Sequence, residues 1–208
     1  DLAWSRGLGD VYKRQRVHLS MQVARMLANA VRITLRLMMF RSGPQDFPYS
    51  NQATQIVAPL AVLANFLQFR FTLPPTPALV QAVVSLATLV CAVMLLLQMR
   101  NLFNRAQQTC NALFATNCAF TLLLIPVLMP IAPVLQEIAA NPDAMEQAQI
   151  PGAPMLMMFG LSIWNLGVTA HILRNALDLR PWLAVGLSIS LAFFVFMVTG
   201  SVTHMMGA

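Results

Sequence analysis

The residues best suited to chemistry in this chain cluster in HILRNALDLRP, residues 171–181, where His171, Asn175 and Asp178 recur at spacings of four and three. Such spacing puts them on one face of a helix. Arg174 and Arg180 lie beside them. An imidazole and a carboxylate on one face can form a pH-sensitive latch, and with the flanking guanidinium groups they can hold a lipid headgroup or a partner. The same residues also make an ordinary polar helix end, whose aspartate and arginines pair in water for little energy. The second is the commoner use of such a cluster.

Side-chain amides form a second set. Asn65, Gln68, Gln81, Asn111, Asn117 and Asn165 interrupt long apolar runs. An amide in hydrocarbon seeks a partner on another helix, and such a bond is worth roughly 0.6–2 kcal/mol. The amides are therefore expected to join helices, Asn65, Gln68, Gln81, Asn117 and Asn165 above all. Facing one shared path instead, they would serve a small transporter or channel subunit. Gly160, Gly167 and the pair Gly186 and Ser190 fit close approach of helix backbones.

Other chemistries lack their residues. HExxH is absent, as are paired carboxylates, phosphate-cradling loops and nucleotide fingerprints. Ser162 and His171 sit nine residues apart on one helix, too far for a hydrogen bond. Cys91, Cys110 and Cys118 fall in apolar stretches without a CxxC or His/Cys cluster, and read as small buried hydrophobes. The 14 methionines read as apolar filler rather than a copper path. No catalytic residue, cofactor or metal is expected, nor is an enzyme.

The elements carrying these residues follow from composition. The chain has 208 residues, of which 58% are hydrophobic and 10% charged. A soluble domain needs about 25% charged residues to face water, so most of this surface must meet lipid. That excludes nucleic acid as the partner behind the net charge of +6, and makes membrane lipids and other membrane proteins, or a second copy, the expected contacts. A span needs about 20 apolar residues. Five runs qualify, at about 53–71, 77–99, 109–133, 154–175 and 181–204. Pro59, Asn65 and Gln68 make the first the weakest, and Pro126, Pro130 and Pro133 should bend or end the third.

Residues 16–50 differ. In 21–41, Gln22, Arg25, Asn29, Arg32 and Arg36 share one helical face while apolar residues occupy the rest. Such a helix can lie in the interface with its arginines among phosphates, or pack on the end of the bundle with the arginines in water. Ser42, Gly43 and Pro44 should stop it. Residues 1–15 are a different matter: DVYKRQ, residues 10–15, resembles a translated sequencing-library adapter, so this stretch is expected to stand outside the fold. No signal-peptide pattern follows it.

Arginine placement sets the threading. With the N-terminus inside, Arg16, Arg25, Arg32, Arg36, Arg41, Arg100, Arg105, Arg174 and Arg180 fall inside, and only Arg70 outside. Glu137, Asp143 and Glu146 occupy the outer 134–153 loop. The positive-inside rule then predicts an all-α membrane protein. Its fold would be a five-helix transmembrane bundle over 51–208 preceded by an amphipathic interfacial helix, N-terminus in and C-terminus out.

This layout, with the stretches SGPQDFPYS and HILRNALDL, resembles the Yip1-type superfamily of small polytopic membrane proteins, and within it uncharacterised proteobacterial inner-membrane members. The likeness spans roughly residues 21–204. It implies a five-helix membrane bundle in a bacterial inner membrane, acting through lipid or protein contacts. The eukaryotic relatives act in vesicle trafficking with small GTPases. Their long polar cytoplasmic region has no counterpart in these residues, and no catalytic residues carry over.

Overall fold

The computed structural model describes residues 24–141 and 151–206. The adapter-like stretch 1–15 and the acidic pair Asp143 and Glu146 lie outside the described residues. Among those described, regular structure is entirely helical. Helix α1 occupies 24–38. It is followed by α2 (Asn51–Phe69), α3 (Pro75–Met99), α4 (Ala106–Leu128), α5 (Ala132–Ala140), α6 (Gly152–Leu177) and α7 (Pro181–Met205).

Local chemistry fixes most of these ends. Pro75 and Pro181 sit in the first turns of α3 and α7, where a missing N–H costs nothing. Three helices end in the same way. Phe40, Asn101 and Asp178 adopt the left-handed conformation with φ of 58°, 57° and 51°. The next residue in each case bonds back five positions: Arg41 to Arg36, Leu102 to Leu97 and Leu179 to Arg174. This closure satisfies carbonyls that a helix end leaves free. Asn and Asp tolerate the conformation, whereas Phe40 needs compensation from its surroundings. Helix α1 thus stops before Ser42, Gly43 and Pro44. Helix α4 tolerates Pro126 but ends at Leu128, ahead of Pro130, so the run expected over 109–133 divides between α4 and α5.

Four helices, α3, α4, α6 and α7, are long and apolar enough to cross a bilayer, as in an integral membrane protein. Helix α2 is not among the four, because Asn51, Gln52, Thr54, Gln55, Asn65 and Gln68 dilute its apolar residues. Its outward face nonetheless carries Leu60, Leu63 and Leu67, all exposed.

The five long helices pack as a closed ring in the order α2, α4, α6, α7, α3 and back to α2. Side-chain contacts give their directions. Gln107 reaches Asn51, so α2 and α4 start at the same end. Arg105 meets Asp178, placing the start of α4 beside the end of α6. Thr203 meets Gln81, placing the end of α7 beside the start of α3. One end of the ring therefore collects Arg41, Arg100, Arg105, Arg174 and Arg180, and the other end has Arg70.

The ring is apolar outside and carries its polar groups within. Leu79, Val83, Leu95, Phe159, Ile163, Ile189 and Phe193 are exposed, an arrangement suited to hydrocarbon and costly in water. Two features differ from the sequence expectations. Cys91 is exposed on the outer face rather than buried. Gly160 and Gly186 also face outward, with nothing within 4 Å of where a Cβ would stand, so neither mediates close helix approach. That role falls to Gly167 alone, and its neighbour is a side chain: the Phe40 ring would lie 3.4 Å from a Cβ there.

Candidate functional site

Two polar assemblies interrupt the apolar bundle. The first is a half-open chamber of about 410 Å3 inside the ring, to which all five long helices contribute. Helix α2 supplies Asn65 and Gln68, and α4 supplies Thr116, Asn117 and Thr121. Asn165 and Thr169 come from α6, Ser85 from α3, and Ser188 and Thr199 from α7. No residue lining it is ionisable at neutral pH.

Some of these groups are already engaged. Asn65 Nδ2 donates to Asn117 Oδ1 at 2.5 Å and to the Ala61 carbonyl at 2.7 Å. Thr116, Ser188 and Thr199 donate to carbonyls one turn back on their own helices. Gln68, Thr121, Asn165 and Thr169 are different. Among the described residues, none of these four side chains has a hydrogen-bond partner, yet all four open on the chamber. Free donors and acceptors from three helices thus converge on one space.

An apolar plug closes the arginine-rich side of the chamber. Val93 and Leu97 continue α3 beyond Leu89, while Ile172, Leu173 and Leu177 continue α6 beyond Thr169. All five are buried within one cluster. The buried cluster thus lies between the chamber and the arginine-rich end.

The second assembly surrounds the 38–47 turn. Irregular backbone packed against a bundle needs partners for its buried carbonyls. Side-chain donors supply them here. Trp164 Nε1 donates to Met38 O at 2.9 Å, and Gln108 Nε2 to Gln45 O and Phe47 O at 3.1 and 3.0 Å. His171 Nε2 lies 2.9 Å from Ser42 O. A carbonyl only accepts, so this contact puts the imidazole proton on Nε2. Asn175 Nδ2, 3.2 Å from the same nitrogen, then donates to the His171 carbonyl at 2.8 Å. The Phe40 ring stands edge-on to His171, with centroids 5.6 Å apart, and this contact with the shelf at Gly167 compensates the left-handed backbone of Phe40.

His171 and Asp178 do not converge. Helix α6 ends at Leu177, so helical spacing no longer governs Asp178, whose chain turns away. Its carboxylate pairs with Arg105 at 2.9 Å in an exposed bridge, while the same guanidinium also donates to the carbonyls of Asn175 and Ala176. Arg174 is exposed.

Helix α1 divides into three sectors. Ala30, Ile33, Thr34, Leu37 and Met38 are buried against the bundle. Arg25, Asn29, Arg32 and Arg36 are exposed on one flank, and Val31, Leu35 and Met39 are exposed on the other. The helix thus packs on the bundle and keeps an outward apolar strip beside its arginines.

The remaining amides behave individually. Gln81 Oε1 accepts from Thr203 at 2.9 Å, joining α3 to α7 outside the chamber. Asn111 is fully buried, and neither atom of its amide has a partner. Among the described residues no group of three His, Cys, Asp or Glu could hold a metal ion. Sequence spacing shows which face of a helix a residue occupies. It gave no sign that Thr121 and Thr169 would open on the chamber, or that Trp164 and Gln108 would hold the turn.

Comparison with protein-family models, curated proteins and solved structures finds no match to this chain.

Proposed function

We propose that this chain is a non-enzymatic integral membrane protein that binds an uncharged polar solute inside its helix ring, as part of a small transporter or channel. The carrying observation is the convergence of four unpartnered side chains, Gln68, Thr121, Asn165 and Thr169, on a 410 Å3 chamber. That volume falls in the range of small-molecule sites, about 300–1,000 Å3. A lining of amides and hydroxyls without charge suits a neutral ligand such as a polyol or an amide, because an ion would be left uncompensated at this depth. In this reading α2 is the fifth span, the N-terminus is inside, and the solute enters from the side opposite the plug.

The test is a single cysteine at Asn165→Cys in a chain with Cys91, Cys110 and Cys118 replaced by alanine. In sealed vesicles, a membrane-impermeant thiol reagent should modify it from the outer side, and a bound polyol should slow the reaction. Resistance to the reagent from both sides would leave the chamber dry and remove the proposal.

A contact protein of the Yip1-like kind, in a bacterial inner membrane, is the second reading. It is favoured by the exposed arginines of α1 beside an outward apolar strip, a surface that suits lipids or another membrane protein.

A further inference from the structure

On the outer surface of the ring, away from the chamber, the end of α3 and the start of α7 leave a groove of about 240 Å3 closed by the α6–α7 turn. Leu96, Leu177, Leu179, Leu183 and Leu187 line it together with Met99, and the one polar residue is Arg100. Arg100 is exposed, and among the described residues its guanidinium has no hydrogen bond or ion pair. The two acids described at this end are both engaged elsewhere, Asp178 with Arg105 and Asp46 with the Gly43 N–H. An unpaired cation thus stands at the mouth of a leucine trough, at the arginine-rich end of the bundle where headgroups would lie. Arg180 and the exposed Trp182 flank the trough at the start of α7, and an indole at that level suits the membrane interface.

We infer that this groove is a binding site for one anionic phospholipid, its phosphate held by Arg100 and one acyl chain laid along the leucines. Charge and shape both select this occupant. A zwitterionic lipid would leave Arg100 only partly compensated, whereas an anionic headgroup matches it. A helix from a protein partner is rigid and about 10 Å across, a poor match to so narrow a trough. An acyl chain is thin and flexible enough to enter. The site needs only that this end of the bundle reaches the lipid headgroups, and it stands or falls separately from solute binding in the chamber.

Native mass spectrometry of the full chain, extracted from vesicles of equal phosphatidylglycerol and phosphatidylcholine, tests the assignment. One phosphatidylglycerol should remain bound in preference to phosphatidylcholine, and millimolar inorganic phosphate should not displace it. Arg100→Gln should lower the retained fraction at least fivefold, and Leu187→Trp, which fills the trough, should do the same. Arg70→Gln, at the opposite end of the bundle, should leave it unchanged. If Leu187→Trp does not fold, Arg100→Gln decides. Equal retention of both lipids, displacement by phosphate, an unaltered adduct in Arg100→Gln, or loss on Arg70→Gln would each overturn the site.

Discussion

Asn65 on α2 and Asn117 on α4 share a hydrogen bond of 2.5 Å, 52 residues apart in sequence, at the wall of the polar chamber. Between helices in lipid, apolar burial contributes little, because the surrounding tails are as apolar as leucine. A polar pair therefore has a large share in fixing which helix faces which.

Removing one partner should cost more than removing both. Asn65→Leu or Asn117→Leu alone is expected to destabilise the fold by about 1–2 kcal/mol, since each leaves a lone amide in the wall. The double variant should recover part of that loss. A double-mutant cycle by denaturant unfolding in detergent reads the difference, and strictly additive losses would show that the pair does not act as a unit.

The turn after α1 should depend on its side-chain donors. His171→Leu strips the Ser42 carbonyl of its partner, at an expected cost of about 1–3 kcal/mol. Asn175→Ala should cost well under half as much, because its amide serves a carbonyl already inside a helix. Limited proteolysis within 41–50 should accelerate in the first variant and hardly change in the second.

Gly167 gives a steric version of the same test. Alanine there meets the Phe40 ring at 3.4 Å, an ordinary contact, and should be tolerated. Leucine should expel Phe40 and free α1, raising proteolysis near Arg36 and Arg41 while leaving the ring helical by circular dichroism.

Asn111 predicts a gain. A fully buried amide without partners carries a desolvation cost of about 1–3 kcal/mol. Asn111→Leu keeps the branched shape and the number of side-chain heavy atoms, and should raise the melting temperature. A fall instead would mean that the amide is satisfied by a bound water that leucine removes.

Threading of the chain can be read by reporters. If α2 crosses the bilayer with the other four helices, fusions before Ala24 and after Met206 should report opposite sides. Fusions on the same side would make α2 a surface or re-entrant element.

The helices were legible because hydrocarbon imposes its thickness on sequence: α3, α6 and α7 begin and end within two residues of their apolar runs. Helix α4 was less so. Apolarity continues through Met129 and Ile131, and Pro130 breaks the helix without breaking the run. For the site, spacing identified the amides but not their company. Gln81 found Thr203 and Asn65 found Asn117, whereas Gln68 and Asn165 found open space, and nothing along a single helix distinguishes these fates. Asp178 shows the limit most plainly. Its spacing from Asn175 assumes a helix that stops one residue earlier, and its actual partner, Arg105, lies 73 residues away.

The order of helices around the ring has a consequence for biosynthesis. Neighbours α3 and α7 are separated in sequence by α4, α5 and α6, so the seam between them stays open until α7 has left the ribosome. Until then Gln81 lacks Thr203, and the nascent chamber gapes sideways toward the acyl chains. A chain truncated after α6 should therefore be a substrate for membrane quality control rather than a smaller working protein.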